Sequence, residues 1–277
     1  MRMSIGVQRA TPPQLSSPAA TERRCWKQRH LTGVLCILVT LLLTSPAHAW
    51  HDLTHMAVVK AAGLDDYTYL AVGADMAKEK SGGREEGNHY RDNEKGTVVT
   101  AEMVLGQVRE YNCRCDGKGQ LYGAIIAALD EYLERKNVNK YARYPFGYAA
   151  HYIGDLSMPL HNTVYDDFNK ANHAANDGVV EQGETGSTQE RVARIARHIQ
   201  QKMKSVPEYR LPLAREGMGH FNLAVAKKVA EIANRAMALG FSMRDATPPR
   251  PLMTREEAYR QLAESAVLLK AVFAALQ

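Results

Sequence analysis

From residue 50 onward the apolar positions recur three and four apart instead of alternating, which predicts helices nearly throughout. In "LYGAIIAALDEYLERK" the apolar stripe is Ile125, Ile126, Leu129, Tyr132 and Leu133, the one-sided spacing of a packed helix. "ERVARIARHIQQKM", "FNLAVAKKVAEIANRAMAL" and "TREEAYRQLAESAVLLKAVFAAL" read the same way, and Thr254 with Glu257 three positions on predicts a capping box opening the last of them. Shorter helices are expected over Leu53–Ala62, Asp66–Lys78 and Ala101–Arg109. Gly- and Pro-rich stretches ("SGGREEG", "CDGKG", "NDGVVEQGETGS", "DATPPRP") separate them, and alternating strand patterns are nearly absent. The expectation is an all-α, single-domain bundle of about seven helices joined by long loops, with no internal repeat.

The first 49 residues follow another pattern. Arg23, Arg24, Lys27 and Arg29 precede an apolar run from Leu31 to Thr44, and "SPAHA" then places Ala47 and Ala49 in a small-x-small arrangement. A basic region, a 14-residue apolar core and an A-x-A site predict a secretory signal peptide over 1–49, cleaved between Ala49 and Trp50. A membrane span needs about 20 apolar residues, so this run is short for one. The remaining 50–277 is a working domain of 228 residues, secreted or periplasmic, and long enough for one good core.

Removing the leader changes the charge. The 277 residues carry 35 basic and 30 acidic side chains; residues 1–49 hold six basic and one acidic, leaving 29 of each. A balanced domain has no whole-molecule attraction for a polyanion. Of four cysteines, Cys25 and Cys36 leave with the leader, and Cys113 and Cys115 in "YNCRCDG" are expected as a loop disulfide or two free thiols. A C-x-C pair alone is a weak zinc signal, because a thiolate site usually takes four ligands.

The chemistry concentrates in "HYIGDLSMPLH", residues 151–161. His151 and Asp155 stand four apart, sharing one helix face at roughly 5–6 Å, and Pro159 separates them from His161. Flanking Ala149, Ala150, Tyr152, Ile153 and Leu156 are mostly apolar, so the helix is expected to be buried, where an imidazole and a carboxylate need a partner or a metal. "NHAAND" repeats the spacing with His173 and Asp177, pointing to more than one divalent ion. Upstream, Asp75 interrupts an apolar helix face in "AVGADMA", "GNHYRDN" supplies His89, and "WHDLTHM" brings Trp50, His51 and His55. Imidazole and carboxylate ligands without thiolates suit zinc, with manganese or iron as alternatives.

The set Trp50, His55, Asp75, His89, "HYIGDLSMPLH" and His173-x3-Asp177 resembles the zinc-dependent phospholipase C family and the related single-strand-specific zinc nucleases. The likeness runs in order across residues 50–177; the last hundred residues match only as helical pattern. It implies the helical fold of that superfamily and three zinc ions. One would be held by Asp75, His89, His151 and Asp155, and a second by His161, His173 and Asp177. The third would take the amine and carbonyl of Trp50 together with His55, sharing Asp155 as a bridging carboxylate. Clustered zinc activates water and neutralises phosphate oxygens, which suits phosphodiester cleavage. Asp75, at the cluster's edge, is the candidate to orient or deprotonate that water. His51, His198 and His220 are expected to be surface or packed groups, Asp166 and Asp167 to lie in a solvated loop, and Glu181 to be a poorer-spaced substitute for Asp177.

The resemblance is mixed as to substrate. The step from Trp50 to His55 and the choice of Asp177 are nuclease-like, whereas the Asp75–His89 interval and the short His161–His173 stretch match the phospholipase branch. Met76 and Glu86 stand where choline-preferring members carry aromatic side chains, and Tyr90 offers a surface for stacking or apolar contact. The expected partner is a phospholipid or other phosphodiester, with transient membrane-surface contact, and nucleic acid is the alternative; no obligate protein partner is evident.

An amine ligand at Trp50 must be free and unprotonated, so leader removal would complete the third site. A variant carrying one extra residue before Trp50 is therefore expected to bind one zinc fewer per chain by elemental analysis. Full zinc content and activity in that variant would overturn the idea.

Overall fold

The computed structural model describes residues 50–78, 81–113 and 117–277, so the signal-peptide expectation and Cys115 lie outside the described residues. The described chain is all-α: nine α-helices with six short 3-10 segments, and no strand among the described residues. In chain order the helices are α1 Asp52–Ala61, α2 Gly73–Lys78, α3 Ala101–Gly106, α4 Leu121–Arg135 and α5 Arg143–Leu156. They continue with α6 Asp167–Asp177, α7 Thr188–Met203, α8 Met218–Arg244 and α9 Arg255–Ala275. No helix of the described residues is long and apolar enough to cross a membrane.

The long helices stand where the apolar periodicity puts them. Thr254 accepts from the Glu257 amide while the Glu257 carboxylate accepts from the Thr254 amide, completing the expected capping box of α9. Ser187 and Glu190 make a second box at the start of α7. Two of the shorter expectations need correction. Asp66–Lys78 is not one helix but a 3-10 segment, Asp65–Val72, followed by α2. The change from 3-10 to α falls at Gly73, which packs so closely on α5 that a Cβ would stand 3.0 Å from the Tyr148 ring. Ala101–Arg109 likewise divides after α3, because Gln107 lies directly on Gly123 of α4, where a Cβ would meet its carbonyl carbon at 2.2 Å.

Helix α5 is the centre of the bundle. It packs on α4 and on the 65–72 segment, and α9, α2, α1 and α8 also touch it. Most of its residues from Pro145 to Leu156 are buried, as expected of a helix that is apolar nearly all round. Gly154 lets α1 come close, since a Cβ there would stand 2.6 Å from His55 Nδ1.

Polar ties then fix the ends of the elements around α5. After α5 stops, the Asn162 amide donates to the carbonyls of Leu156 (3.0 Å) and Met158 (2.8 Å), satisfying acceptors that a helix end leaves open. The Tyr122 hydroxyl donates to Asn162 Oδ1 at 2.9 Å, and Asn93 donates to the Asn162 carbonyl at 2.9 Å. Helix α6 is tied to the C-terminal region by Asn176, which donates to Pro251 O (2.8 Å) and accepts from the Met253 amide (2.9 Å). Asp166 is not in a solvated loop: it caps α6 by accepting from the Asn169 amide at 3.0 Å and pairs with Arg244 at 3.2 Å. Glu181 is also spoken for, since its Oε1 accepts from both the amide and the hydroxyl of Thr54, each at 2.8 Å. That carboxylate caps the first turn of α1 from outside the helix.

Glu181→Ala removes this cap and is expected to lower stability by about 0.5–2 kcal/mol. Urea unfolding should show an earlier midpoint at unchanged slope; an unchanged midpoint would mean that α1 does not depend on the cap.

Candidate metal centre

Asp155 stands in the last turn of α5, fully buried, and its two oxygens face different histidines. Oδ2 lies 2.9 Å from His89 Nδ1 and 3.2 Å from His151 Nε2. Oδ1 lies 3.3 Å from His55 Nε2 and 3.5 Å from His161 Nδ1. His55 comes from α1, His89 from the turn after Glu86–Asn88, and His161 from the 3-10 segment that Pro159 starts. The His55 and His151 rings stack at 3.6 Å and 13°. Asp75 on α2 closes one side, its Oδ1 at 3.7 Å from both His89 Nδ1 and His151 Nε2. On the other side, from α6, His173 Nε2 is 3.4 Å from Asp177 Oδ2, and His161 Nε2 is 3.8 Å from Asp177 Oδ1.

Three groups follow, each with ligand atoms within 4.8 Å of one another: Asp75, His89 and His151; His55, His151 and Asp155; and His161, His173 and Asp177. The eight side chains expected as ligands from His55 to Asp177 are thus brought together. Trp50 is fully buried beside them, and the next amide, of His51, donates to the Asp177 carbonyl at 3.4 Å. The His51 side chain is half-buried against Gly178, His198 lies beside the Tyr259 ring, and both His198 and His220 are exposed.

The donor set has the character of a cation site. His55 Nδ1 and Nε2, Asp75 Oδ1, Asp155 Oδ1, His161 Nδ1 and both Asp177 oxygens are buried without a hydrogen-bond partner among the described residues. Orphaned polar atoms at such density are costly unless something else satisfies them, and a divalent ion does so with these ligand types. The outer nitrogens are also set. His151 Nδ1 meets the Ala71 carbonyl at 2.6 Å and His173 Nδ1 meets Asn169 Oδ1 at 2.9 Å, which turns each Nε2 to the cluster.

The titration behaviour points the same way. Burial raises the Asp155 carboxyl, but His151, His161 and His55 hold it well below the ordinary range. Asp75 is likewise raised by burial and brought lower by His151, Lys78 and His89. Burial pushes His55 and His161 down and takes His173 to about 4. Burial also lowers His151, yet Asp75 and Asp155 outweigh it and raise this imidazole to about 9. Asp177 goes well above the usual range through burial and the Asp155 charge. Without an ion, the proton on His151 supplies positive charge beside Asp75 and Asp155.

Several neighbours escaped the sequence reading. Lys78, 11% exposed, places Nζ 2.8 Å from Asp75 Oδ1; its position three after Asp75 on the same helix was a usable signal. Asn169, four before His173 on α6, was another. The Ala71 carbonyl had none, since that contact joins residues 80 apart. Over the cluster opens a cavity of about 240 Å³, floored by His89, His161 and His173 and walled by Lys78, Glu86, Tyr90, Asp92, Leu160 and Tyr165. Burial raises the Asp92 carboxyl to about 6. The loop nearby carries Cys113, which is disulfide-bonded, excluding two free thiols.

Because His151 is protonated below about pH 9 in the ion-free protein, metal uptake at pH 7.5 must release at least its proton. Calorimetric titration in buffers of different ionisation enthalpy should show that release, with affinity rising as pH approaches 9. A buffer-independent, pH-flat isotherm would contradict the arrangement. The chain matches no protein-family profile and no curated protein sequence.

Proposed function

We propose that the chain is an exported zinc-dependent phosphodiesterase with three ions, most simply a phospholipase C that releases diacylglycerol and a phosphorylated head group. The observation that carries the reading is the Asp155 carboxylate, each oxygen turned to a different pair of histidines inside an otherwise unsatisfied buried set. Asp75, His89, His151 and Asp155 would hold one ion, His161, His173 and Asp177 the second, and His55 with Asp155 and Trp50 the third. Bound zinc would supply a hydroxide nucleophile at neutral pH and positive charge for the phosphate oxygens.

The chain's own groups fill the remaining roles. Asp75 sits between the cluster and Lys78 with its carboxyl held low. A carboxylate so acidic is a weak proton acceptor near pH 7, which favours holding and orienting over general-base work. The Lys78 ammonium lines the cavity and is placed to pair with a non-bridging phosphate oxygen. Leu160 and the rings of Tyr90 and Tyr165 give the cavity an apolar wall beside the proposed ions.

The alternative, a nuclease for single-stranded nucleic acid or 3'-nucleotides, is favoured by one feature: Tyr90 and Tyr165 line the same cavity as the Asp92 carboxyl, a combination that suits a flat ring carrying hydrogen-bond donors. Product analysis separates the two. Mature protein beginning at Trp50, loaded with zinc, is offered mixed phospholipid vesicles and single-stranded RNA in parallel, with His151→Ala as control. Diacylglycerol and phosphorylated head group, reduced to background in the control, are expected. Nucleotide release with untouched lipid would assign the nuclease activity, and neither product from zinc-loaded protein would overturn the phosphodiesterase reading.

A further inference from the structure

The histidines of the cluster are supported from behind in different ways. The outer nitrogens of His151 and His173 meet neutral acceptors, the Ala71 carbonyl and the Asn169 amide oxygen. His89 differs. Its Nδ1 faces Asp155 at 2.9 Å and Asp75 at 3.7 Å, while its Nε2 turns outward to Glu85 Oε1 at 3.4 Å. That carboxylate belongs to none of the three ligand groups.

Glu85 is 4% exposed, and among the described residues no lysine or arginine pairs with it. It is nevertheless held firmly. The Tyr152 hydroxyl donates to Oε1, and Asn88 donates to Oε2 at 3.2 Å. Asn88 is itself fixed, donating to Asn112 Oδ1 at 2.8 Å and accepting from Gln120 Nε2 at 3.0 Å. A buried carboxylate with neutral donors on one side and an imidazole on the other lacks a compensating cation. The place for one is across the His89 ring, where Nδ1 meets the cluster. His89 Nε2 is buried without a hydrogen bond and has the Glu85 carboxylate 3.4 Å away; a bond between them would put the proton on Nε2 and make the inner nitrogen a stronger donor once an ion is held.

We propose that Glu85 is a positioning residue of the metal centre: through His89 it orients and strengthens the site formed by Asp75, His89 and His151, and Tyr152 and Asn88 aim it. The inference rests on the proposed metal centre. Tyr152 thereby gains a use beyond packing, because it lies on α5 next to His151 and carries its hydroxyl to the far side of the His89 ring.

The test compares mature wild type, Glu85→Gln and Tyr152→Phe. Zinc stoichiometry and affinity are read by chelator competition, the ligand field by visible absorption after cobalt substitution, and the ion-free proteins by thermal melting. Glu85→Gln is expected to keep the helical signal and the ion-free melting temperature while one ion binds about 10- to 100-fold more weakly. The cobalt bands of that ion should shift and the others stay, with Tyr152→Phe falling between wild type and Glu85→Gln. Unchanged affinity for every ion in Glu85→Gln, or a lower ion-free melting temperature with affinity intact, would show a purely structural carboxylate. Should Glu85→Gln fail to fold, Tyr152→Phe decides, and full affinity there overturns the proposal. Wild type that binds no zinc would instead remove the metal centre itself, and the inference with it.

Discussion

The interior of this bundle is organised around a carboxylate that water cannot reach. Asp155 is fully buried at the end of α5, and its two oxygens are met by four imidazoles from four separate pieces of chain. A lone ion there would cost several kcal/mol, so the surrounding chain must supply positive charge, as protons or as metal. The close approach of α1 at Gly154 and the turn begun by Pro159 each deliver an imidazole to that carboxylate, while the capped α6 sets His173 beside Asp177.

Holding those imidazoles still is the task of groups that ligate nothing. Asn162 closes the end of α5, Asn169 and Asn176 set α6, and Glu181 stops the first turn of α1 from opening. Each tie joins a short polar side chain to a backbone group or to an imidazole, which fixes orientation without adding net charge near the cluster. Glu181 is the exception, and it is directed at the amide end of a helix, where negative charge is welcome. A rigid frame of this kind suits ligands that must meet at metal-bond distances.

Much of this is legible in the sequence. Spacing of three and four locates the long helices, and the Thr254–Glu257 box marks the start of α9, because both signals are local. The His151–Asp155 and His173–Asp177 pairs are legible for the same reason: one turn of helix brings residues four apart onto one face. What escaped depends on residues far apart in sequence. The helix expected over 66–78 changes type at Gly73, which packs on Tyr148 from far along the chain, a contact that no window around that glycine reveals. Asp166 is a mixed case: its cap on Asn169 is local, but its second partner Arg244 lies 78 residues on. Glu85 sits four before His89, but outside any regular helix, so that spacing carried no geometric meaning until the chain was folded.

The order of these parts along the chain has a consequence for how the protein is made. Every proposed ligand lies between Trp50 and Asp177, whereas the helix whose Ser265 hydroxyl is bonded to the Ile153 carbonyl of α5 is the last one. During synthesis the complete set of histidines and carboxylates therefore exists well before the helix that packs beside the last turns of α5. If the proposed ions are bound, the ligands would meet them before that helix is in place, open to whichever divalent ion is most abundant or most tightly held. Were the chain exported unfolded, that choice would move to the compartment where folding finishes, and the ion held would depend on where α9 docks as well as on the ligands.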